Sequence, residues 1–180
     1  MTAIDYNAIK LLVLDVDGVM TDGGIILTDS GEQAKCFNVR DGAGMKYWRR
    51  AGGKLAMITG RGGQVIWRRA KELDVDAVRT EALDKLPAYL EVLKELGFAP
   101  EQTAVMGDDL PDLPLLRRCA FPVAVADAVS ELRAAAAYVT QACGGQGAVR
   151  EVIELILKNT GDWQTILSRY TGDSEETRPC

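Results

Sequence analysis

The sequence predicts an α/β fold, a three-layer Rossmann-like parallel sheet with helices on both faces. Short apolar runs of β type alternate with amphipathic stretches of helical spacing, the order that parallel strands with crossover helices produce. The chain has 180 residues, 47% hydrophobic and 26% charged, enough to bury a full core, so a single domain over 1–180 is expected. The expected strands cover 9–16, 54–59, 76–80, 103–107 and 121–125. Ile66, Ala70 and Leu73 outline a helix after the second strand. Leu83, Leu86, Leu90 and Leu93 mark a face of the next, with Pro87 in its first turn and Gly97 placed to stop it. Val149, Ile153 and Leu157 outline a C-terminal helix. Residues 24–39 break the alternation: IILT and AKCFNV flank the turn-forming Asp29-Ser30-Gly31-Glu32, so a β-hairpin is expected directly after the first strand. The polar, aperiodic 171–180 suits a frayed tail.

Composition excludes several functions. The formal net charge of -5, with no segment rich in Lys and Arg, argues against a nucleic-acid partner. No apolar run approaches the roughly 20 residues needed to cross a bilayer. The start, MTAIDYNAIK, lacks signal-peptide order, so a cytoplasmic location is expected. Cys36, Cys119, Cys143 and Cys180 form no C-x-x-C pair and read as reduced thiols. Histidine is absent, which removes imidazole bases and His-ligated zinc and leaves acid-base work to carboxylates, lysine, tyrosine or thiols.

Ligands of an open parallel sheet bind outside the carboxyl ends of its strands. The first strand ends in Asp15-Val16-Asp17-Gly18, the second in Thr59-Gly60-Arg61, and the fourth in Gly107-Asp108-Asp109; Lys85 begins the helix after the third. Carboxylates about 4 Å apart repel by about 4 kcal/mol per pair at an effective dielectric of 20, so a cation is expected among them. Hard oxygen donors without histidine or thiolate select Mg²⁺. An EF-hand calcium loop fails because Gly18 stands at the fourth position rather than the sixth. Singly, Asp15 and Asp108 also suit helix caps or turns, Thr59 a cap, and Lys85 a solvated charge. Jointly they point to chemistry: both aspartates leave the apolar run LLVL together, and a lysine at a helix start is electrostatically misplaced.

D-x-D-G-V/T, then a Thr, a Lys and G-D-D in that order, resembles the haloacid dehalogenase superfamily pattern from Asp15 to Asp112. DVDGVMTDGGI, GEQAKCFNVRDGAG, ITGR, DKL, GDDLPDLPLL and GGQGAVREV resemble the 3-deoxy-D-manno-octulosonate 8-phosphate phosphatases over nearly the whole chain. The resemblance implies Asp15 as the nucleophile and Asp17 as the acid and base. It implies Mg²⁺ on the Asp15 carboxylate, the Asp17 main-chain carbonyl and Asp108, with Asp109 on metal waters or as a weaker ligand. Thr59, the Gly60 amide and Lys85 would hold phosphoryl oxygens, and Arg61 the carboxylate of a small phosphorylated sugar acid.

The 44 positions from Asp15 to Thr59 and the 26 from Thr59 to Lys85 leave no room for a cap domain. In the family that this chain resembles, neighbouring subunits of a homotetramer wall the open site with the hairpin and the C-terminal segment, here 24–39 and Gly144-Gly145-Gln146-Gly147. Gln146 stands where that family usually has arginine, and Thr80-Glu81-Ala82 replaces its Gln-Gly. A phosphatase of a nine-carbon sialic-type sugar 9-phosphate, a catalytically idle oligomerisation or regulatory module, and a phosphotransferase or mutase are the alternatives.

Overall fold

The computed structural model describes residues 4–29, 31 and 33–171. Ser30 and Glu32 of the expected turn, and 172–180 of the expected tail, lie outside the described residues. Six parallel strands form the central sheet: β1 Leu11–Leu14, β4 Lys54–Ile58, β5 Ala77–Arg79, β6 Thr103–Gly107, β7 Phe121–Ala124 and β8 Tyr138–Val139, in the order β5-β4-β1-β6-β7-β8. Every residue of β1 and β6 is buried whichever way its side chain points, so both sheet faces are covered and the three-layer reading holds. Helices α1 Val39–Arg50, α6 Ala148–Thr160 and α7 Asp162–Thr171 pack together, while α3 Lys85–Leu96, α4 Leu113–Leu116 and α5 Ser130–Ala135 form a second row. α2 Gln64–Glu72 buries Ile66 and Ala70, with Leu73 buried just beyond it.

Strand order and register position the site. The chain winds from β1 outward to β4 and β5, then crosses back to lay β6 on the other side of β1, which makes the β1/β6 border the switch point where such sheets bind ligands. Leu14 pairs with both Met57 and Met106, so Asp15, Thr59 and Asp108 emerge on one edge.

Several elements differ from the sequence expectation. β1 is shorter than 9–16 because the chain turns at Val16, although Asp15 N–H still donates to the Met106 carbonyl (3.2 Å). The hairpin keeps only β2 Ile26–Leu27 and β3 Gln33–Ala34, paired antiparallel, because Val39 is drawn into α1 by its Asn38 cap. Gly97 ends α3 in the left-handed conformation (φ 74), as expected of a stop signal. That helix, however, buries Ala88, Tyr89, Val92 and Leu93, whereas Leu83 precedes it and is 84% exposed. β8, α4, α5 and α7 were not anticipated. Among the described residues no helix is long and apolar enough to cross a membrane, and no cap domain stands over the sheet edge.

Candidate active site

A cleft of about 500 Å³ opens at the carboxyl edge of the sheet, lined by Asp15, Asp17, Thr59, Gly60, Arg61, Lys85, Asp108 and Asp109 together with Ala82, Leu83, Pro111 and Asp112. All eight residues singled out from the sequence therefore meet in one cavity. Asp15 extends β1 by one residue and is only 6% exposed. Gly18 turns the chain back toward β6 at φ 98, and a Cβ there would collide with the Asp108 carboxylate, so glycine is required both for the backbone angle and for the close approach.

Lys85 is the hub. Its ammonium donates to Asp15 Oδ1 and Asp112 Oδ1, each at 2.7 Å, and all three side chains are buried. The unfavourable placement of a lysine at a helix N-terminus is thus offset by two buried carboxylates, and Asp84 rather than Lys85 caps the helix through the Leu86 amide (3.2 Å). Asp112 also accepts from the Asp108 amide (3.3 Å), which ties the β6 turn to the lysine. The sequence reading missed Asp112. Its signal was a carboxylate one short turn beyond Asp109 that no solvent-facing pattern required. Asp109 itself accepts from the Leu110 amide (2.7 Å) and caps that turn.

Oxygens of Asp15, Asp108 and Asp112 lie within 4.8 Å of one another. Burial raises Asp15 well above the usual carboxylate range, with Lys85 opposing and the charges of Asp112 and Asp108 adding to it. Burial, then the Asp112 charge, pushes Asp108 up to about 6. For Lys85 burial acts downward, but the attraction of Asp15 and Asp112 prevails and its pKa is raised. Desolvated carboxylates at this spacing, all offering hard oxygens, fit a divalent cation such as Mg²⁺. Because Asp112 is occupied by Lys85 and the Asp108 amide, Asp15 and Asp108 are the side chains left to hold it.

On the other wall, Thr59 Oγ1 donates to Asp17 Oδ2 (3.4 Å) and accepts from the Arg61 amide (3.2 Å). A second residue missed from sequence, Lys35 of the hairpin exit, ion-pairs with Asp17 Oδ1. Gly144 packs so tightly on the Gly18 carbonyl that a Cβ could not fit, and its amide donates to Asp127 (2.9 Å), so the glycine-rich loop clamps the Asp15–Asp22 turn. Gln146 is not brought to this cleft; within one chain it lines a separate groove with Arg40, Arg150 and Glu154.

A family profile described as haloacid dehalogenase-like hydrolase matches residues 77–153. The 3-deoxy-D-manno-octulosonate 8-phosphate phosphatase of Yersinia pestis is 47% identical over 149 residues, 83% of this chain and 80% of that protein. The chain belongs to the 3-deoxy-D-manno-octulosonate 8-phosphate phosphatase family. The crystal structure of the family's Moraxella catarrhalis protein, in complex with magnesium ion, phosphate ion and KDO, matches with a TM-score of 0.89 at 40% identity, covering 92% of this chain and 95% of that one. The crystal structure of a Pseudomonas syringae protein described as a probable YrbI-family phosphatase matches with a TM-score of 0.90 at 42% identity, covering 96% of each chain. Family membership accounts for an open sheet edge that carries its polar residues without a cap.

Proposed function

We propose that this protein is a Mg²⁺-dependent phosphatase that converts 3-deoxy-D-manno-octulosonate 8-phosphate to the free sugar acid and phosphate, in lipopolysaccharide sugar synthesis. The observation that carries this reading is the meeting of Asp15, Asp17, Thr59, Lys85 and Asp108 in one cleft. An Asp15 oxygen attacks phosphorus, the ester P–O bond breaks, and Asp17 delivers a proton to the departing sugar oxygen. Water then attacks the phosphorus of the aspartyl-phosphate while Asp17 takes its proton, which releases inorganic phosphate, frees the Asp15 carboxylate and returns Asp17 to its protonated form. Thr59 Oγ1, the Gly60 amide and the Lys85 ammonium are fixed donors for phosphoryl oxygens as charge spreads over them. Asp15, the Asp17 carbonyl and Asp108 would hold Mg²⁺, which when bound would offset their charge and polarise the phosphoryl group. Arg61, exposed at the cleft mouth, forks onto the substrate carboxylate, with Asp109 beside the metal as a weaker or water-mediated ligand.

The working form is a homo-oligomer, a tetramer by analogy, whose neighbouring subunits cover the open cleft. Supporting this are the exposed hairpin residues Ile25, Ile26 and Leu27 and the exposed Leu83 at the cleft rim. The free thiols Cys36, Cys119 and Cys143 suit the reducing cytoplasm.

Phosphate release from the octulosonate ester with Mg²⁺, and its loss in EDTA, tests the proposal; activity that survives chelation excludes the metal role. Asp15→Asn is expected to lower turnover by at least about a thousandfold with the fold retained by circular dichroism, as removal of a covalent nucleophile does. A panel containing sialic-type 9-phosphates decides the substrate, and equal rates on both esters would leave the octulosonate assignment unsupported.

A further inference from the structure

Lys35 follows β3 between Ala34 and Cys36, both exposed, yet only 3% of its own side chain meets solvent. Lysine is almost never buried unless its charge is paired, and fixing its long side chain costs rotamer entropy. Its partner is the Asp17 carboxylate, through Oδ1. The other oxygen, Oδ2, accepts from Thr59 Oγ1 at 3.4 Å. Asp17 is thus gripped on both oxygens, by the hairpin on one side and by the end of β4 on the other. The lysine that lines the cleft is unavailable for this task, because Lys85 is committed to Asp15 and Asp112.

We propose that Lys35 is a positioning residue that fixes the Asp17 carboxylate in one orientation, so that the hairpin controls the proton-transfer steps. An ammonium on Oδ1 takes up that oxygen's lone pairs and leaves Oδ2 as the oxygen that carries the proton. Oδ2 faces Thr59, which the function proposed above places against the phosphoryl group. Without Lys35 the partly exposed carboxylate is free to rotate about its side-chain bonds and deliver the proton in the wrong direction. The inference rests on Asp17 being the acid and base of that mechanism.

The test compares Lys35→Met, which removes the charge but keeps the length, with wild type, Asp17→Asn and the double variant, all loaded with Mg²⁺. Two esters are used: the sugar phosphate that wild type turns over fastest, and p-nitrophenyl phosphate, whose leaving group departs without a proton. Lys35→Met is expected to lower kcat on the sugar ester by at least about tenfold, the lower range of a lost acid-base contribution, with KM within about threefold. First-turnover release of nitrophenolate should stay within about threefold of wild type, because that bond breaks unassisted. In the Asp17→Asn background the same substitution should cost less than about twofold, since nothing remains to be positioned. Equal losses on both esters, a change confined to KM, or multiplicative losses in the double variant would overturn the proposal. If Lys35→Met does not fold, Lys35→Arg replaces it: keeping at least about a third of the wild-type kcat supports the role, and a tenfold loss with an unchanged melting temperature overturns it. A wrong sugar assignment leaves the comparison intact, because the ester is chosen by rate; wild-type inactivity on every ester overturns both readings.

Discussion

Glu81 sits in the left-handed backbone region at φ 59, where a non-glycine residue carries about 1–2 kcal/mol of strain. Its amide donates to the Arg61 carbonyl (3.4 Å) and the next amide, of Ala82, to the Thr59 carbonyl (3.0 Å), so this turn ties the Thr59–Arg61 loop to the start of α3. A glycine would adopt the angle freely. Glu81→Gly is therefore expected to raise stability by about 0.5 kcal/mol, the strain relieved less the extra freedom of glycine in the unfolded chain, measured as a shift in the urea midpoint. A loss of stability would mean that the Glu81 carboxylate makes a compensating interaction. At this scale most of the cleft residues were legible because they follow directly on the ends of β1, β4 and β6, and Lys85 because it opens α3 against the helix dipole. Asp112 and Lys35 were not, since only folding brings one under Lys85 and the other onto Asp17.

Helix starts and the hairpin decide how those groups are held. The α1 cap residue Asn38 accepts from the Arg40 amide (2.8 Å) and donates to the Gly145 carbonyl (3.2 Å), while Asp41 accepts from the Arg150 amide (2.8 Å) at the start of α6. One helix entry thus anchors the glycine-rich loop that clamps the Asp15–Asp22 turn. The leucine spacing located α3, and Leu86 and Leu93 do pack on the core, but Leu90 faces outward and Tyr89 and Val92 share the buried side, because Lys85 must turn toward Asp15. The hairpin exposes 67% of Leu27, an apolar surface that the sheet does not cover. Leu27→Glu is expected to dissociate the proposed oligomer into smaller species in sedimentation velocity and to lower activity with it. An unchanged oligomer, or a fully active monomer, would remove the hairpin from the interface.

Across the whole molecule, the crowded carboxylates link stability to metal and to pH. Asp15 and Asp108 are raised acids, so the folded chain holds protons there that the unfolded chain releases near pH 4. Without metal, that contribution to stability falls as pH rises from about 4 through the Asp108 value of about 6. A divalent ion competes with those protons and binds best above that range. Mg²⁺ at about a hundredfold over its dissociation constant should stabilise the protein by about 2.7 kcal/mol at pH 7.5 and distinctly less at pH 5. Thermal melts at both pH values with and without Mg²⁺ check this, and equal gains would remove Asp108 from the ligand set. The sequence by itself determined the α/β class, the order of the strands along the chain and the groups at their carboxyl ends, because buried strands and helix faces impose periodicities that can be read locally. Tertiary structure alone decided the strand order in space, the inward face of α3 and the pairing of each lysine with its aspartate, because these depend on register and side-chain reach between residues far apart in the chain.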